Sequence, residues 1–230
     1  MISERLKTAL RLYDRCALAA DIGTDHALFP SALLRQGICD RMILTDLSEK
    51  ALANARKEIG LRGLGDRAEL RLGDGLAPLR EACGMISVLG MGGRTIEEIL
   101  LRGQDRLRGA SLLLSAHSDL DRVRRAVCAV GYRLLSETPC LDGGRFYLLL
   151  KAVPGAEALT EQQLRLGVRL FESDSDQLLP YLRHRQGVLL AGLRGLEGAR
   201  DPDGAKIELL REDLRALSFA VDRLSPTKEK

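Results

Sequence analysis

The sequence lacks the features of membrane and exported proteins. No apolar run approaches the roughly 20 residues that a membrane-spanning helix requires. The first residues contain no apolar segment followed by a small-residue cleavage site. Apolar residues make up 45% of the chain and charged residues 29%, a balance that excludes disorder as a class. We therefore expect a folded cytoplasmic protein.

The cysteine patterns of metal sites and of disulfide frameworks are also missing. The five cysteines are odd in number and widely separated, and no two of them form a C-x-x-C pair. No pair of neighbouring histidines accompanies them. We therefore expect no metal, and we interpret the thiols as small buried hydrophobes.

Short apolar runs alternate with helical patterns from residue 16 to about residue 137. This alternation is typical of repeated β-α units and of a mostly parallel sheet. The strands are predicted at residues 16–21, 42–45, 69–72, 85–89, 111–115 and 132–138, followed by a turn at 139–144 and an antiparallel return strand at 145–151. The sequence thus predicts an α/β fold, with one nucleotide-binding domain over residues 1–154.

The pattern changes after residue 154, and residues 155–230 are predicted to form a separate helical domain. Apolar residues recur every three or four positions over 179–196 and again over 207–224, which is heptad spacing. A polar turn, residues 197–204, separates the two stretches. This arrangement predicts an antiparallel helical hairpin of the coiled-coil type. For the first stretch, ordinary amphipathic packing on the first domain is an equal alternative.

The loop after the first predicted strand carries one glycine and two carboxylates, in residues 21–26, which read DIGTDH. A dinucleotide site would have G-x-G-x-x-G here, and that fingerprint is absent. Two acidic residues would repel a pyrophosphate but would suit a ligand that carries a positive sulfonium and an amino group. A nicotinamide dehydrogenase is therefore disfavoured.

The next three strand ends carry further candidate ligand-binding groups. Asp46 is placed to accept hydrogen bonds from ribose hydroxyls, although a helix cap is an alternative role. Asp74 could accept a hydrogen bond from the amino group of an adenine, and Gly75 would leave room for the adenine ring. Residues 90–93 read GMGG, and three glycines allow a flat base to approach closely.

Other polar residues give weaker indications. His26 and His117 could act in acid-base chemistry, because imidazole titrates near neutrality. Ser115 lacks a nucleophile-elbow context, which disfavours hydrolysis.

Residues 1–154 contain 23 Lys and Arg against 19 Asp and Glu, and two arginine clusters stand out there. One cluster is Arg94, Arg102, Arg106 and Arg108, and the other is Arg122, Arg124 and Arg125. The clusters suit a polyanion such as RNA, whereas a solvated helix face is the alternative.

Three motifs together resemble the bacterial tRNA (adenine-22-N1)-methyltransferase family: ADIGTDHALFP at 20–30, GDGL at 73–76 and GMGG at 90–93. The resemblance covers nearly the whole chain. It implies a Rossmann-like class I methyltransferase sheet, S-adenosyl-L-methionine (SAM) as cofactor and tRNA as partner, with a C-terminal coiled coil that helps to hold the tRNA. We expect a monomer or a weak dimer.

The strand-end loops, the polar residues above and the resemblance together indicate a set of site residues. The predicted cofactor-binding residues are Asp21, Gly23, Thr24, Asp25, His26, Asp46, Leu47, Asp74, Gly75 and Gly90. The predicted catalytic residues, which would border the target base, are Gly90, Met91, Gly92, Gly93 and His117. The predicted RNA contacts are Arg94, Arg122 and Arg125.

This chain departs from the family pattern after the fifth strand, where it reads LSAH at 114–117 instead of a Gln-Pro-Asn-like stretch. The missing Asn could position the substrate base. Two other functions therefore stay open: a class I methyltransferase that acts on another RNA site or on a small molecule, and a catalytically silent RNA-binding protein that retains the SAM pocket.

Few side chains are available to stack on an RNA base, because aromatic residues make up only 3% of the chain and tryptophan is absent. Tyr13, Phe29 and Tyr147 are the candidates, with core packing as the alternative role.

Overall fold

The computed structural model describes residues 2–225 of the chain. In that range the strands are β1 (Cys16–Ile22), β2 (Cys39–Asp46), β3 (Ala68–Leu72), β4 (Met85–Met91), β5 (Ser111–Ala116), β6 (Tyr132–Asp142) and β7 (Arg145–Pro154). The helices are α1 (Glu4–Leu12), α2 (Leu28–Arg35), α3 (Glu49–Leu61), α4 (Gly93–Arg102), α5 (Gln104–Leu107), α6 (Leu120–Ala129), α7 (Glu161–Leu166), α8 (Leu178–Glu197) and α9 (Gly204–Leu224).

The strands form one mixed sheet in the order β3-β2-β1-β4-β5-β7-β6. The first five strands pair in parallel, whereas β7 runs antiparallel to both β5 and β6. The predicted α/β fold and the antiparallel return strand are thus confirmed. The strand order reverses between β1 and β4, and in such sheets ligands bind outside the carboxyl ends of the strands at that reversal.

Alternate residues of the central strands face two separate hydrophobic cores. Ile43 and Ile86 lie in the core that is covered by α4 and α6. Met42 and Met85, one position earlier in each strand, lie in the core that is covered by α1, α2 and α3. This alternation follows from the two-residue period of a strand, and burial on both faces explains the nearly continuous apolar runs of the sequence.

The hairpin between β6 and β7 differs from the predicted one. The turn was predicted over residues 139–144, but β6 continues to Asp142, and Pro139 pairs with Leu148 within the ladder. Because β6 is an edge strand, a proline without an N–H group is tolerated there. The turn itself consists of Gly143 and Gly144, both with positive φ, as in a tight two-residue hairpin.

The C-terminal helices α8 and α9 lie side by side and run in opposite directions. Gln186, in the middle of α8, donates a hydrogen bond to Ser218 of α9, and Glu197, at the end of α8, pairs with Arg211 of α9. Leu182 and Leu217 are buried between these helices and the sheet domain, in the same core as α4 and α6. Ile207, Leu214 and Val221 of the second stretch are also buried, whereas Leu224 at its end is 42% exposed. The division at residue 154 stays a prediction.

A buried ion pair connects the sheet to the segment that follows it. Arg124 and Glu137 both have fully buried side chains, and Arg124 Nε donates to Glu137 Oε1 at 2.7 Å. The other oxygen of Glu137 accepts the backbone N–H groups of Val168, Arg169 and Leu170. Arg124 also donates to a backbone carbonyl of α7 at 2.7 Å. The assignment of Arg124 to a basic surface cluster was therefore wrong, because its charge is neutralised inside the protein.

Candidate active site

The carboxyl ends of β1, β4 and β5 and the amino end of the antiparallel β7 surround a cavity of about 420 Å³. It is lined by Arg5, Leu6, Asp21, Gly23, Thr24, Asp25, His26, Ala27, Leu28, Phe29, Pro30, Leu89, Gly90, His117 and Tyr147. We call this space the switch-point cavity, since it opens where the strand order reverses. It brings together residues from two of the three motifs, 20–30 and 90–93, with Arg5, His117 and Tyr147.

Asp21 ends β1 inside the switch-point cavity and is 7% exposed. Ser87 Oγ donates to one carboxylate oxygen at 2.6 Å, and Thr24 Oγ1 donates to the other at 2.5 Å. Burial nevertheless raises the pKa of Asp21 to about 6, against the lowering effect of these two hydrogen bonds, and the nearby Asp46 carboxylate adds to the rise. The group is therefore an anion at neutral pH that is held at an energetic cost, and a positively charged ligand would relieve that cost.

Gly23 turns the chain sharply at the end of β1. Its φ is +78°, a conformation that side chains disfavour, and its N–H and that of Thr24 both donate to the carbonyl of Thr45 on β2. A Cβ atom at this position would collide with the end of the Met91 side chain. The glycine thus lets the Met91 side chain pack between the ends of β1 and β4.

Asp25 and His26 follow the glycine turn and are largely exposed. Their side chains are 65% and 64% exposed, and His26 Nε2 lies 3.2 Å from Asp25 Oδ2. Both line the switch-point cavity at its rim. Neither is locked in place by a buried partner, so both can adjust to a ligand.

The end of β2 carries Asp46, which is half-buried. Its Oδ1 accepts the backbone N–H of Ser48 at 2.8 Å, and Ser48 in turn caps α3 by accepting from Ala51. The second carboxylate oxygen of Asp46 accepts no hydrogen bond among the described residues. Leu47, beside it, is 71% exposed. Asp46 therefore combines both roles considered for it: one oxygen orders the turn, and the other is free for a hydroxyl group.

A second cavity, of about 310 Å³, lies beside the end of β3. Asp74 and Gly75 line it, and the Asp74 carboxylate pairs with Arg102 of α4 at 2.7 Å. Gly75 has φ +52°, and a Cβ atom there would press against the side chain of Ile99 at 3.1 Å. The pair with Arg102 is half-exposed, so the carboxylate can exchange this partner for a ligand.

The GMGG motif splits into residues that border the switch-point cavity and residues that pack. Gly90 lines the cavity with φ +85°, and a Cβ there would lie 3.7 Å from His117 Nε2. Met91 reaches across to Gly23. Gly92 begins α4 as its N-cap, outside the cavity lining. Gly93 is buried, and a Cβ there would collide with backbone carbonyl oxygens of the loop after β5.

His117 and Tyr147 form the wall of the switch-point cavity on the side of β5 and β7. Their ring centroids are 6.0 Å apart, edge to face. Arg5 of α1 stacks on the other side, with its guanidinium carbon 4.9 Å from the centre of the Tyr147 ring. Tyr13 and Phe29, the other two stacking candidates, are 6% and 5% exposed and pack against each other. Tyr13 is therefore a core residue, and Phe29 meets the cavity only at its wall.

Arg5 and helix α1 were missed in the sequence. A signal was available: Ser3 precedes the helix, and its Oγ accepts the N–H of Leu6, while Glu4 lies in the first turn. These are the N-cap and the acidic first turn that commonly begin a helix. The residue that points from this helix into the cavity could not be read from that signal.

The predicted RNA contacts lie on two neighbouring helices, Arg94 on α4 and Arg122 and Arg125 on α6. All three side chains are at least 50% exposed. Each is paired with a glutamate: Arg94 with Glu98, Arg122 with Glu97 and Arg125 with Glu161. Their positive charge is locally balanced, so an RNA phosphate would have to displace a carboxylate.

Two findings bear on the remaining predictions. Over residues 2–225, no three His, Cys, Asp or Glu side chains are grouped so that they could hold a metal ion. In the same range, no helix has the length and apolar character needed to cross a bilayer.

Comparison with known proteins adds a family and several relatives. Residues 2–150 match the methyltransferase domain family. A Bacillus subtilis (strain 168) protein named tRNA (adenine(22)-N(1))-methyltransferase is 29% identical over 156 residues. The match covers 67% of this chain and 66% of that protein, slightly less than two thirds of the relative's length.

Solved structures resemble the whole chain. The B. subtilis m1A22 tRNA methyltransferase TrmK superposes with a TM-score of 0.84 at 24% identity, covering 96% of this chain and 99% of TrmK. A Streptococcus pneumoniae protein, Sp1610, crystallised with SAM, gives 0.83 at 25% identity, covering 96% and 100%. Mycoplasma capricolum TrmK with S-adenosyl-homocysteine gives 0.80 at 21% identity, covering 98% and 100%.

Proposed function

The chain belongs to the methyltransferase domain family, which matches residues 2–150, and on that basis we propose that it transfers a methyl group from SAM to N1 of adenine 22 in tRNA. The name of the B. subtilis relative supports the substrate and the atom. The complex of the S. pneumoniae protein with SAM supports the cofactor. The observation that carries the proposal is the series of acidic and glycine residues on the ends of β1, β2, β3 and β4.

The residues at these strand ends fit SAM better than a dinucleotide. A buried carboxylate, Asp21, lies where a pyrophosphate would have to bind, and it is an anion near neutral pH. Gly23, with φ +78°, allows the tight turn that brings this loop to the lining of the switch-point cavity. Beside Asp21, a sulfonium or an ammonium group is attracted, whereas a phosphate is repelled.

We assign the parts of SAM to the two cavities as follows. The adenine lies beside Asp74 and Gly75 in the second cavity, and the ribose is bound by the free oxygen of Asp46 next to Leu47. The amino acid end enters the switch-point cavity. Its neighbours there are Asp21, Gly23, Thr24, Asp25, His26 and Gly90.

SAM supplies an electrophilic methyl group, and the N1 lone pair of adenine needs no base to accept it. The protein therefore contributes mainly orientation and exclusion of water. Gly90 leaves the end of β4 open to a flat base, while His117 and Tyr147 offer an edge and a face for it to pack against. Met91 fills the space beside Gly23, and Gly92 and Gly93 hold the start of α4 against the loop after β5. The target adenine must leave its stack in the tRNA to enter this space.

The proposed tRNA contacts lie outside the two cavities, on α4 and α6 and on the C-terminal hairpin. Arg94, Arg122 and Arg125 lie together on α4 and α6, and we propose that they contact tRNA phosphates. The hairpin of α8 and α9, which we propose is a short coiled coil, extends the surface available to the tRNA. The hairpin's buried leucines join the core of the methyltransferase domain, so it can present tRNA at a fixed angle.

The test is methyl transfer from labelled SAM to unmodified bacterial tRNA, followed by digestion and identification of the labelled nucleoside by mass spectrometry. We expect label in 1-methyladenosine with a transcript that has adenine at position 22. A matched transcript with guanine at position 22 should remain unlabelled. Label in another nucleoside would overturn the substrate. Binding of SAM without transfer to any tRNA would overturn the tRNA activity and leave a small-molecule methyltransferase or a silent binding protein.

A further inference from the structure

Arg5 is a cation in the switch-point cavity that no motif identified. It lies in the first turn of α1 and is half-buried. Its guanidinium carbon lies over the Tyr147 ring, 4.9 Å from the centroid. Its Nη1 would be 3.5 Å from a Cβ atom on Gly90, so the group reaches the end of β4. Arg5 therefore spans the cavity wall from β7 to β4.

The guanidinium of Arg5 has no anionic partner within residues 2–225. It makes no ion pair and donates no hydrogen bond there, unlike Arg71, Arg122 and Arg124, which pair with carboxylates. Stacking on an aromatic ring covers the face of a guanidinium but leaves its edge N–H groups available. A half-buried cation with free donors in a ligand cavity is a site for an anion that the ligand supplies.

The cavity contains charges of both signs. Asp21 and Asp25 line it together with Arg5, so carboxylates and one guanidinium face the same space. This pattern complements the amino acid end of SAM, which has an ammonium and a carboxylate on one carbon. A tRNA phosphate is a weaker candidate, because Arg5 is half-buried, reaches the end of β4 at Gly90 and shares the cavity lining with the buried Asp21.

We propose that Arg5 binds the carboxylate of the amino acid end of SAM, an inference that rests on the proposed function. The planar fork of the guanidinium matches a planar carboxylate, with two parallel N–H donors. Stacking on Tyr147 holds the fork in place before the ligand arrives, which reduces the entropy lost on binding. Helix α1, packed against the sheet domain, is thus part of the cofactor site.

The experiment measures ligand affinity by titration calorimetry without tRNA. The ligands are SAM and decarboxylated SAM, which keeps the sulfonium and the ammonium but lacks the carboxylate. The proteins are the wild type, Arg5→Gln, Arg5→Lys and a control, Arg11→Gln. Arg11 lies on the same helix, is exposed and donates to Thr8 instead of facing the cavity.

We expect Arg5→Gln to weaken SAM binding by roughly 10-fold or more, the usual effect of losing a hydrogen-bonded charge. Its affinity for decarboxylated SAM should equal that of the wild type, which would also show that the cavity is intact. Arg5→Lys should bind SAM with intermediate affinity, because lysine keeps the charge but not the fork. Arg11→Gln should bind both ligands like the wild type.

Three outcomes would overturn the inference. Arg5→Gln could bind SAM as tightly as the wild type. It could lose affinity for both ligands equally, which would mean that Arg5 acts on the shape of the cavity. In a parallel methyl-transfer assay, the variant could instead show an unchanged KM for SAM and a raised KM for tRNA, which would assign Arg5 to a phosphate. A wild-type protein that binds neither ligand would contradict the proposed function itself, and is thus distinguishable from failure of the Arg5 assignment.

Discussion

Replacement of Asp21 by Asn should stabilise the protein at neutral pH while it weakens SAM binding. The substitution preserves size. Thr24 Oγ1 also lies 3.2 Å from the carbonyl oxygen of Asp21, and Ser87 Oγ lies 3.2 Å from that of Ala20. Each hydroxyl can therefore donate to a carbonyl, so that one of them accepts from the new amide. No buried polar group has to lose all of its partners.

The magnitude follows from the pKa of Asp21, which burial raises from 3.8 to about 6. Between these two values the folded state binds more protons than the unfolded state, so stability falls as the pH rises through this window. The cost is absent well below the lower value and fully present above the upper one. It amounts to about 3 kcal/mol at neutral pH. Asn carries no charge and avoids it.

Urea unfolding of both proteins across this pH range tests the reasoning. The free energy of unfolding of Asp21→Asn minus that of the wild type should increase by about 2 kcal/mol between about pH 4 and about pH 8. Other titrating groups cancel in this difference. Asp25→Asn, which removes an exposed carboxylate from the same loop, is the control and should not show the increase. If the difference in free energy of unfolding between Asp21→Asn and the wild type stayed constant with pH, the claim that the Asp21 carboxylate destabilises the fold would be refuted.

The same substitution tests the function of the anion. If Asp21 attracts the positive charges of SAM, Asp21→Asn should lose roughly 10-fold or more in SAM affinity at about pH 8. The loss should become smaller as the pH falls below about 6, where the wild-type carboxyl group is itself protonated. Equal affinity for SAM in both proteins at high pH would show that the carboxylate serves the fold alone.

Three further predictions concern the glycine motif, the buried ion pair and the end of β2. Gly93→Ala should lower the free energy of unfolding by about 2 kcal/mol through overpacking, whereas Gly92→Ala, with its nearest contact at 3.9 Å, should change it little. Equal midpoints of urea unfolding for the two variants would contradict this packing. Glu137→Gln should cost about 3 kcal/mol, because buried donors lose their anionic acceptor, and a loss below about 1 kcal/mol by urea unfolding would argue against the ion pair. Asp46→Asn retains the acceptor for the turn that follows β2, so it should weaken SAM binding roughly 10-fold with an unchanged Tm, and calorimetry showing full affinity would exclude the ribose contact.

The alternation of apolar runs and helical patterns was sufficient to predict every strand of the sheet. These signals are local: a strand buried on both faces needs a continuous apolar run, and a turn at a strand end needs glycine or a capping carboxylate. For the same reason the acidic and glycine-bearing loops could be assigned to one edge of the sheet before the structure was known. Asp21, Asp46 and Asp74 lie at or just after the carboxyl ends of three different strands, and parallel pairing brings those ends to the same edge.

The roles of individual charges depended on the tertiary structure. Arg124 and Arg125 are neighbours in one helix and are indistinguishable by composition, yet one is fully buried and the other is 50% exposed. Arg124 can be buried only because Glu137, on a strand that follows, meets it at 2.7 Å. Arg5 reaches the cavity because α1 packs beside β7, far along the chain. A charge is tolerated inside a protein where the fold supplies its partner, and that partner is chosen by packing between distant segments, which no local pattern encodes.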